Sequence, residues 1–287
     1  MQLNDASINE VSKRWLNLVR QAKGTLPAEE VYVGRTVKDA LVAAHILGAD
    51  VFFVSAGLGL VKQDRLIPSY NLSITPNQRP TRSSNAPSLP TILAEKSSSP
   101  AQWWSLLNRN KTILDALSLS KTTFVWIAIP SSYVALIQSD LLQIPSEILK
   151  NVRIFTSPAG VESLDSHLRG VCLPYDERLN SVLNSTGTRN DFPQRALLHY
   201  LNCLNGEDLD LEEGKKRVLN FLSKHKIREI PLRKKKTDAE IVSVIKKYWG
   251  PSKGSSSRLL RVLRDDLKIS CEQRRFSNLW RYVHNQK

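Results

Sequence analysis

Residues 41–61 read LVAAHILGADVFFVSAGLGLV, and how this stretch divides decides the class of fold. It is long enough and apolar enough to imitate a membrane span. His45 and Asp50 lie inside it, however, and Gly48 interrupts it, so the stretch reads as the end of a helix, a turn and a buried strand. The same alternation recurs along the chain. Short β-branched or aromatic runs at 31–33, 51–55, 122–129, 153–156 and 170–173 predict strands, and apolar periodicity predicts helices at 5–22, 37–47, 102–117 and 133–142. Most of the strand runs are nearly continuous in apolar residues, the pattern of strands covered on both faces. The expectation is therefore an α/β fold with a three-layer, mostly parallel sheet over residues 1–205. Residues 68–100 hold Pro68, Pro76, Pro80, Pro87, Pro90 and Pro100 among many Ser, Thr and Asn, and read as one long loop.

Charge separates the two ends of the chain. Residues 1–213 carry 20 Lys and Arg against 21 Asp and Glu, whereas residues 214–287 carry 21 against 6. A concentration of cations of this kind suits phosphates, because each Lys or Arg that neutralises one releases condensed counterions. A second, basic helical domain is read over residues 206–287. Thr237 and Glu240 form a capping box ahead of the stripe Ile241, Val244, Ile245 and Tyr248. Ser257 is the expected cap of a helix that turns Leu259, Leu260, Leu263 and Leu267 inward, while Arg258, Arg261 and Arg264 follow at spacings of three. In the last helix Phe276, Leu279, Trp280 and Val283 share one side and Arg274, Asn278 and Arg281 the other. Three helices with a tight turn before the last look like a helix-turn-helix module. Arg and Asn suit guanine and adenine edges; the plainer alternative is a helix that touches only phosphates.

Cys172, Cys203 and Cys271 are far apart in sequence, which fits a reducing cytoplasm and no zinc or dithiol site. The opening MQLNDASINE lacks the apolar core of a signal peptide. His45, His167, His199, His225 and His284 are isolated, and there is no Walker loop or dinucleotide fingerprint. No metal, no cofactor, no membrane and no obligate protein partner are expected.

In a parallel sheet, ligands bind beyond the carboxyl ends of the strands. Those ends carry Arg35, then Ser55 with Gly57 and Gly59, then Ser131 and Ser132, then Ser157, and finally Tyr175, Asp176 and Arg178. Residues 187–195 add polar side chains without an assigned role. The segment VFFVSAGLGLVKQDRLIPSYNLSIT, residues 51–75, delivers Ser55 to a strand end, turns at two glycines, and continues through Asp64 into Ile67-Pro68-Ser69-Tyr70-Asn71. This segment resembles the signature of the YaaA superfamily, with a Gly57-Leu58-Gly59-Leu60-Val61 variant of the usual turn. The resemblance implies association with DNA, including modified and viral DNA, and a likeness to uracil-DNA-glycosylase-type enzymes. It implies a pocket for a base flipped out of a duplex, with a carboxylate to steady an oxocarbenium-like sugar. On that reading Asp64 is the first candidate and Asp176 the second. Phe53, Tyr70 or Tyr175 would stack on the base, Asn71 would read its edge, and Arg35 or Arg178 would hold a flanking phosphate. The plainer alternatives are a turn in which Asp64 pairs with Lys62 or Arg65, and a surface ion pair between Asp176 and Arg178. The expectation is a DNA glycosylase; the rivals are a non-enzymatic DNA-binding stress or regulatory protein and a transglycosylase-like subunit acting on RNA.

Overall fold

A computed structural model describes residues 6–72, 74, 88–117, 124–183, 185–227 and 233–286. The chain mixes helix and strand and falls into two units, Met1–Arg228 and Glu229–Lys287.

The first unit opens with α1 (Ile8–Gln21), started by a capping box between Ser7 and Glu10 and buried through Ile8 and Val11. β1 (Leu26–Pro27) follows, then α2 (Ala28–Val31) and α3 (Arg35–Leu47), which ends on Gly48 in the left-handed region at φ 58°. The strand expected at 31–33 is not formed. Pro27 and the glutamates Glu29 and Glu30 start a helix there instead, and Tyr32 caps it. β2 (Phe52–Ser55) lies where a strand was expected, but it turns straight back into β3 (Gly59–Lys62) as an antiparallel hairpin. Gly59 has φ 73° at the turn, and the Ser55 hydroxyl accepts the Gly57 and Leu58 amides at 3.3 and 3.0 Å. β4 (Leu66–Ile67) pairs antiparallel with β1.

The loop read over 68–100 is shortened by helices. α4 (Leu89–Glu95) and α5 (Pro100–Leu107) start at Ser88 and Ser99, whose hydroxyls accept the amides of Thr91 and Gln102. Pro90 and Pro100 are therefore first-turn residues, where a missing N–H costs nothing. The rest of that stretch, residue 73 and residues 75–87, lies outside the described residues. Arg109 and Asn110, both at positive φ, separate α5 from α6 (Ile113–Leu117).

β5 (Val125–Ala128) and β6 (Val152–Phe155) are parallel and in register, connected through α7 (Ser131–Leu141) and α8 (Ser146–Leu149). After α9 (Pro158–Ser163) and α10 (Ser166–Arg169), the strand expected at 170–173 is reduced to one parallel bridge, Ile154 to Cys172. Among the described residues each sheet thus has two strands, and the hairpins are antiparallel. Trp103 and Trp104 of α5 anchor the larger core: their indole N–H groups donate to the Ala56 carbonyl at 2.8 Å and to Asp140 at 2.9 Å.

A second core surrounds Tyr200 on α11 (Phe192–Leu204) and takes in Val218 and Leu222 of α12 (Leu211–Ser223). The acidic stretch after Gly206, read as the start of a new domain, is the capped first turn of α12: Asp210 accepts the Glu213 amide at 2.8 Å. The boundary between the units accordingly falls after Arg228.

The second unit has its own core of Ile241, Ile245, Leu259, Leu263, Phe276 and Val283. Thr237 and Glu240 form the expected capping box of α13 (Asp238–Lys247). α14 (Ser256–Arg261) begins two residues earlier than expected, after Ser255, and runs into a π-helical turn over Val262–Asp266. β7 (Lys234–Lys235) and β8 (Ile269–Ser270) pair in parallel before α15 (Gln273–His284). Among the described residues no helix is long and apolar enough to cross a membrane.

Candidate functional site

A cleft of about 980 Å3 lies within the first unit, walled by β2, β5, α3 and the start of α11. Every residue of β2 and of β5 lines it. Side chains alternate between faces along a strand, so a cavity reached by consecutive residues sits at the strand edge. The backbone pattern gives the same answer. Val51 and Gln63 bond across the hairpin, so by the two-residue alternation Phe52 and Val54 turn their N–H and C=O groups outward. On β5 the Val125 and Ile129 amides donate to Asn151 and Phe155, which leaves Trp126 and Ala128 facing away from β6.

The cleft lining includes a chain of hydroxyls. Ser55 Oγ lies 2.5 Å from the Tyr70 hydroxyl, which lies 2.8 Å from the Tyr32 hydroxyl. Both acceptor positions of Ser55 are taken by the Gly57 and Leu58 amides, so its proton points to Tyr70. The contact between Tyr70 and Tyr32 can run in either direction. Three protons share two contacts, and one phenol proton, of Tyr32 or of Tyr70, is left without a partner among the described residues. Burial, reinforced by the neighbouring Tyr32, holds the Tyr70 hydroxyl far above the usual phenol range, and burial also raises Tyr133. Both stay neutral donors. Gln194, at the start of α11, is 6% exposed and donates through Nε2 to the Ala128 carbonyl at 2.8 Å. Its Oε1 is buried with no hydrogen-bond partner among the described residues.

The structure brings five of the expected residues into this cleft: Phe53, Ser55, Tyr70, Asn71 and the strand-end Ser132. It does not bring the others. Asp64 stands in the turn after β3, 68% exposed, 3.8 Å from Lys62; it is a turn residue because the hairpin carries it past the cleft. Asp176 caps the short 3-10 turn Glu177–Ser181 and holds Arg178 in a fork at 2.7–3.0 Å. Partial burial would raise its carboxyl, but the hydrogen bonds and charge of Arg178 keep it below the usual range. Neither carboxylate lines the cleft; the one that does is Asp50, 63% exposed and 3.2 Å from Lys62. Tyr175 is buried, its hydroxyl 2.8 Å from His199 Nδ1. Arg35 donates to the Thr186 carbonyl at 2.6 Å and to Asp39 at 3.3 Å. The glycines serve packing: a Cβ on Gly57 would press on the Tyr70 ring at 2.7 Å, and one on Gly59 would collide with the Asn108 amide.

Tyr32, Tyr133 and Gln194 line the cleft without having been singled out from the sequence. Tyr32 was hidden in a run read as strand. Gln194 lay in the polar stretch 187–195, whose other members explain its position: buried Arg195 binds Asp191 at 2.7 Å, Asn180 at 3.0 Å and the Thr188 carbonyl at 2.9 Å, and also the Ser185 carbonyl. That clamp fixes the loop ahead of α11 and so sets where Gln194 points.

The second unit presents a cationic surface. Arg258 and Arg261 on α14, and Arg274, Asn278 and Arg281 on α15, are exposed. The α15 trio lies opposite Phe276 and Val283, which are fully buried. None of the four arginines has an acidic partner among the described residues. Arg264 departs from expectation: its guanidinium donates to the Cys271 carbonyl at 3.0 and 2.7 Å, tying α14 to the turn before α15. Arg233, Lys236 and Arg275 pair with Asp265, Glu240 and Asp238. Among the described residues no cluster of His, Cys, Asp and Glu is arranged to hold a metal, and Cys172, Cys203 and Cys271 are unpaired. No protein-family model matches the chain, and no curated protein and no solved structure is significantly similar to it.

Proposed function

We propose that the protein binds nucleic acid through the cationic face of its second unit, in the manner of a helix-turn-helix module with α15 toward the groove. The observation that carries this reading is the α15 face itself: Arg274, Asn278 and Arg281 are exposed, aligned, and opposite the buried side of the helix. An arginine without a local carboxylate is available to phosphate or to a guanine edge. The supporting pattern is the pairing of the neighbouring cations, which leaves this face the freer one. Duplex DNA is the partner to test first. Fluorescence anisotropy with a labelled duplex should show binding that Arg274→Ala with Arg281→Ala weakens by about 1–3 kcal/mol if base edges are read. Binding unchanged by the pair of substitutions refutes the reading. Three unpaired cysteines fit a reducing compartment such as the cytoplasm.

A second reading, hydrolysis of the N-glycosidic bond of a flipped base, is favoured by the cleft that gathers Phe53, Tyr70 and Asn71, and by the resemblance to the YaaA superfamily. In that reading the carboxylate passes to Asp50, since Asp64 and Asp176 lie elsewhere. Alkali-labile abasic sites in plain or modified duplexes, lost in Asp50→Asn, are its test; a protein that releases no base leaves the binding function alone.

A further inference from the structure

We propose that the cleft of the first unit is a binding site for a neutral, planar cyclic amide, a ring carrying an N–H donor and a carbonyl acceptor. Charge sets the first limit. Among the described residues no Lys, Arg or His lines the cleft, and the one carboxylate that does is the exposed Asp50, already paired with Lys62. A phosphate or carboxylate buried there would lack a counter-charge, as would a cation. The ligand is neutral.

The polar groups set the second limit. Gln194 Nε2 donates to the Ala128 carbonyl, which can only accept, so the amide cannot be turned round and Oε1 is the atom left over. A buried acceptor with no donor is costly, and a ligand N–H is what satisfies it. At the hydroxyl chain the need is the opposite. Ser55 is saturated as an acceptor, so the chain of three hydroxyls leaves one phenol proton, on Tyr32 or on Tyr70, for an acceptor in the cleft, and Tyr133, which also lines the cleft, stays protonated. A ligand with both an N–H and a C=O offers a partner to each. The rest of the lining is largely apolar and includes rings, Phe53 and Trp126 among them, which suits a flat ring. The volume is that of an ordinary small-molecule site.

An extended peptide adding as a strand is the competing occupant, because β2 and β5 both turn backbone groups outward. Gln194 argues against it. Its side chain already occupies the Ala128 carbonyl, so β5 offers an incoming strand an interrupted ladder.

The site does not depend on DNA binding by the second unit, and the test keeps the two apart. The full chain is titrated by calorimetry with uracil and with hypoxanthine, both neutral cyclic amides, with uridine monophosphate as the charged counterpart and with a capped tetravaline peptide. Binding of at least one of the two amides is expected, at least tenfold tighter than the monophosphate. Gln194→Leu and at least one of Tyr32→Phe and Tyr70→Phe, each checked for native circular dichroism and melting, should weaken it at least tenfold. Arg274→Ala with Arg281→Ala should leave it unchanged, whether or not that variant still binds DNA. Competition between the free amide and a duplex containing a mismatched uracil assigns the site to a strand-borne ring; absence of competition assigns it to a free one, and both outcomes uphold the site. The proposal is overturned if neither amide binds at millimolar concentration, if the monophosphate binds as well, if the peptide displaces the amide, or if Tyr32→Phe and Tyr70→Phe both bind as the wild type does.

Discussion

Four arginines without acidic partners among the described residues, Arg258, Arg261, Arg274 and Arg281, fix a number that can be measured. If each neutralises one phosphate of a duplex, the slope of log K against log salt is about −0.9 per contact, or about −3.6 for four. Raising salt from about 50 to about 200 mM should then weaken binding roughly 150-fold. Replacing Arg274 and Arg281 with Ala removes two contacts, brings the slope to about −1.8 and reduces the same loss to about 12-fold. Anisotropy titrations of a labelled duplex at several salt concentrations give both slopes. Exposed lysines such as Lys246 and Lys253 would steepen both lines if they also touch phosphate, so the decisive quantity is the difference between them, about 1.8. Arg264 supplies the internal control. It is spent on the Cys271 carbonyl, so Arg264→Met should lower the stability of the second unit by about 1–3 kcal/mol while leaving the slope unchanged. A double substitution that leaves the slope where it was, or an Arg264→Met that changes the slope as much as the pair does, refutes the assignment of these side chains.

Three further outcomes follow from the first unit. Burial, with His225 nearby, lowers His199 from 6.5 to about 4; the unfolded chain therefore gains a proton that the folded one refuses as pH falls from 6.5 toward 4. Stability is full above 6.5 and drops by up to about 3 kcal/mol across that window, and His199→Gln, which keeps an acceptor for Tyr175, should flatten the decline of the urea midpoint between pH 7 and pH 4. Arg195→Met leaves Asp191 buried without its partner and should cost about 3–5 kcal/mol in urea unfolding; a cost under about 1 kcal/mol would mean that the clamp does not hold the loop. Gly59→Ala combines a left-handed φ of 73° with a collision against Asn108, whose carbonyl accepts the Leu60 amide, and should lower stability by about 1–3 kcal/mol in thermal melts.

The second unit was the more legible half, because its structure rests on local signals. Thr237 and Glu240 are three residues apart and close a capping box, and Ile241 and Ile245 recur at helical spacing toward the core. The cationic face of α15 follows from the same periodicity, so Arg274, Asn278 and Arg281 fall on the surface as their spacing requires. Arg264 obeys the spacing as well, yet it is spent on a carbonyl seven residues away, which no periodicity records. In the first unit the strand runs at 51–55, 122–129 and 153–156 were legible from their β-branched and aromatic content. Their pairing was not. Whether the chain after Ser55 turns back or crosses over depends on a hairpin held by the Ser55 hydroxyl and a left-handed Gly59; a helix later in sequence satisfies the apolar pattern equally well.

The same limit bears on the two expected carboxylates, neither of which lines the cleft. Asp64 is expected from its place in the segment that resembles the YaaA signature and Asp176 from lying beyond a strand end, and the strand-end rule holds for parallel sheets with crossovers. Once β2 folds into a hairpin, the residues past its end travel back along β3, and Asp64 is delivered to solvent beside Lys62. The cleft forms instead along the strand edges, where function falls to groups defined by what they fail to pair with. Gln194 Oε1 is informative only because Nε2 is taken by Ala128, and the pair of Tyr32 and Tyr70 only because Ser55 is saturated by two amides from its own turn. Each is a property of a contact between segments far apart in the chain, 66 residues for Gln194 and Ala128 and 38 for Tyr32 and Tyr70. A single sequence lists donors and acceptors but not their pairing, and the unpaired remainder is where a ligand is recognised.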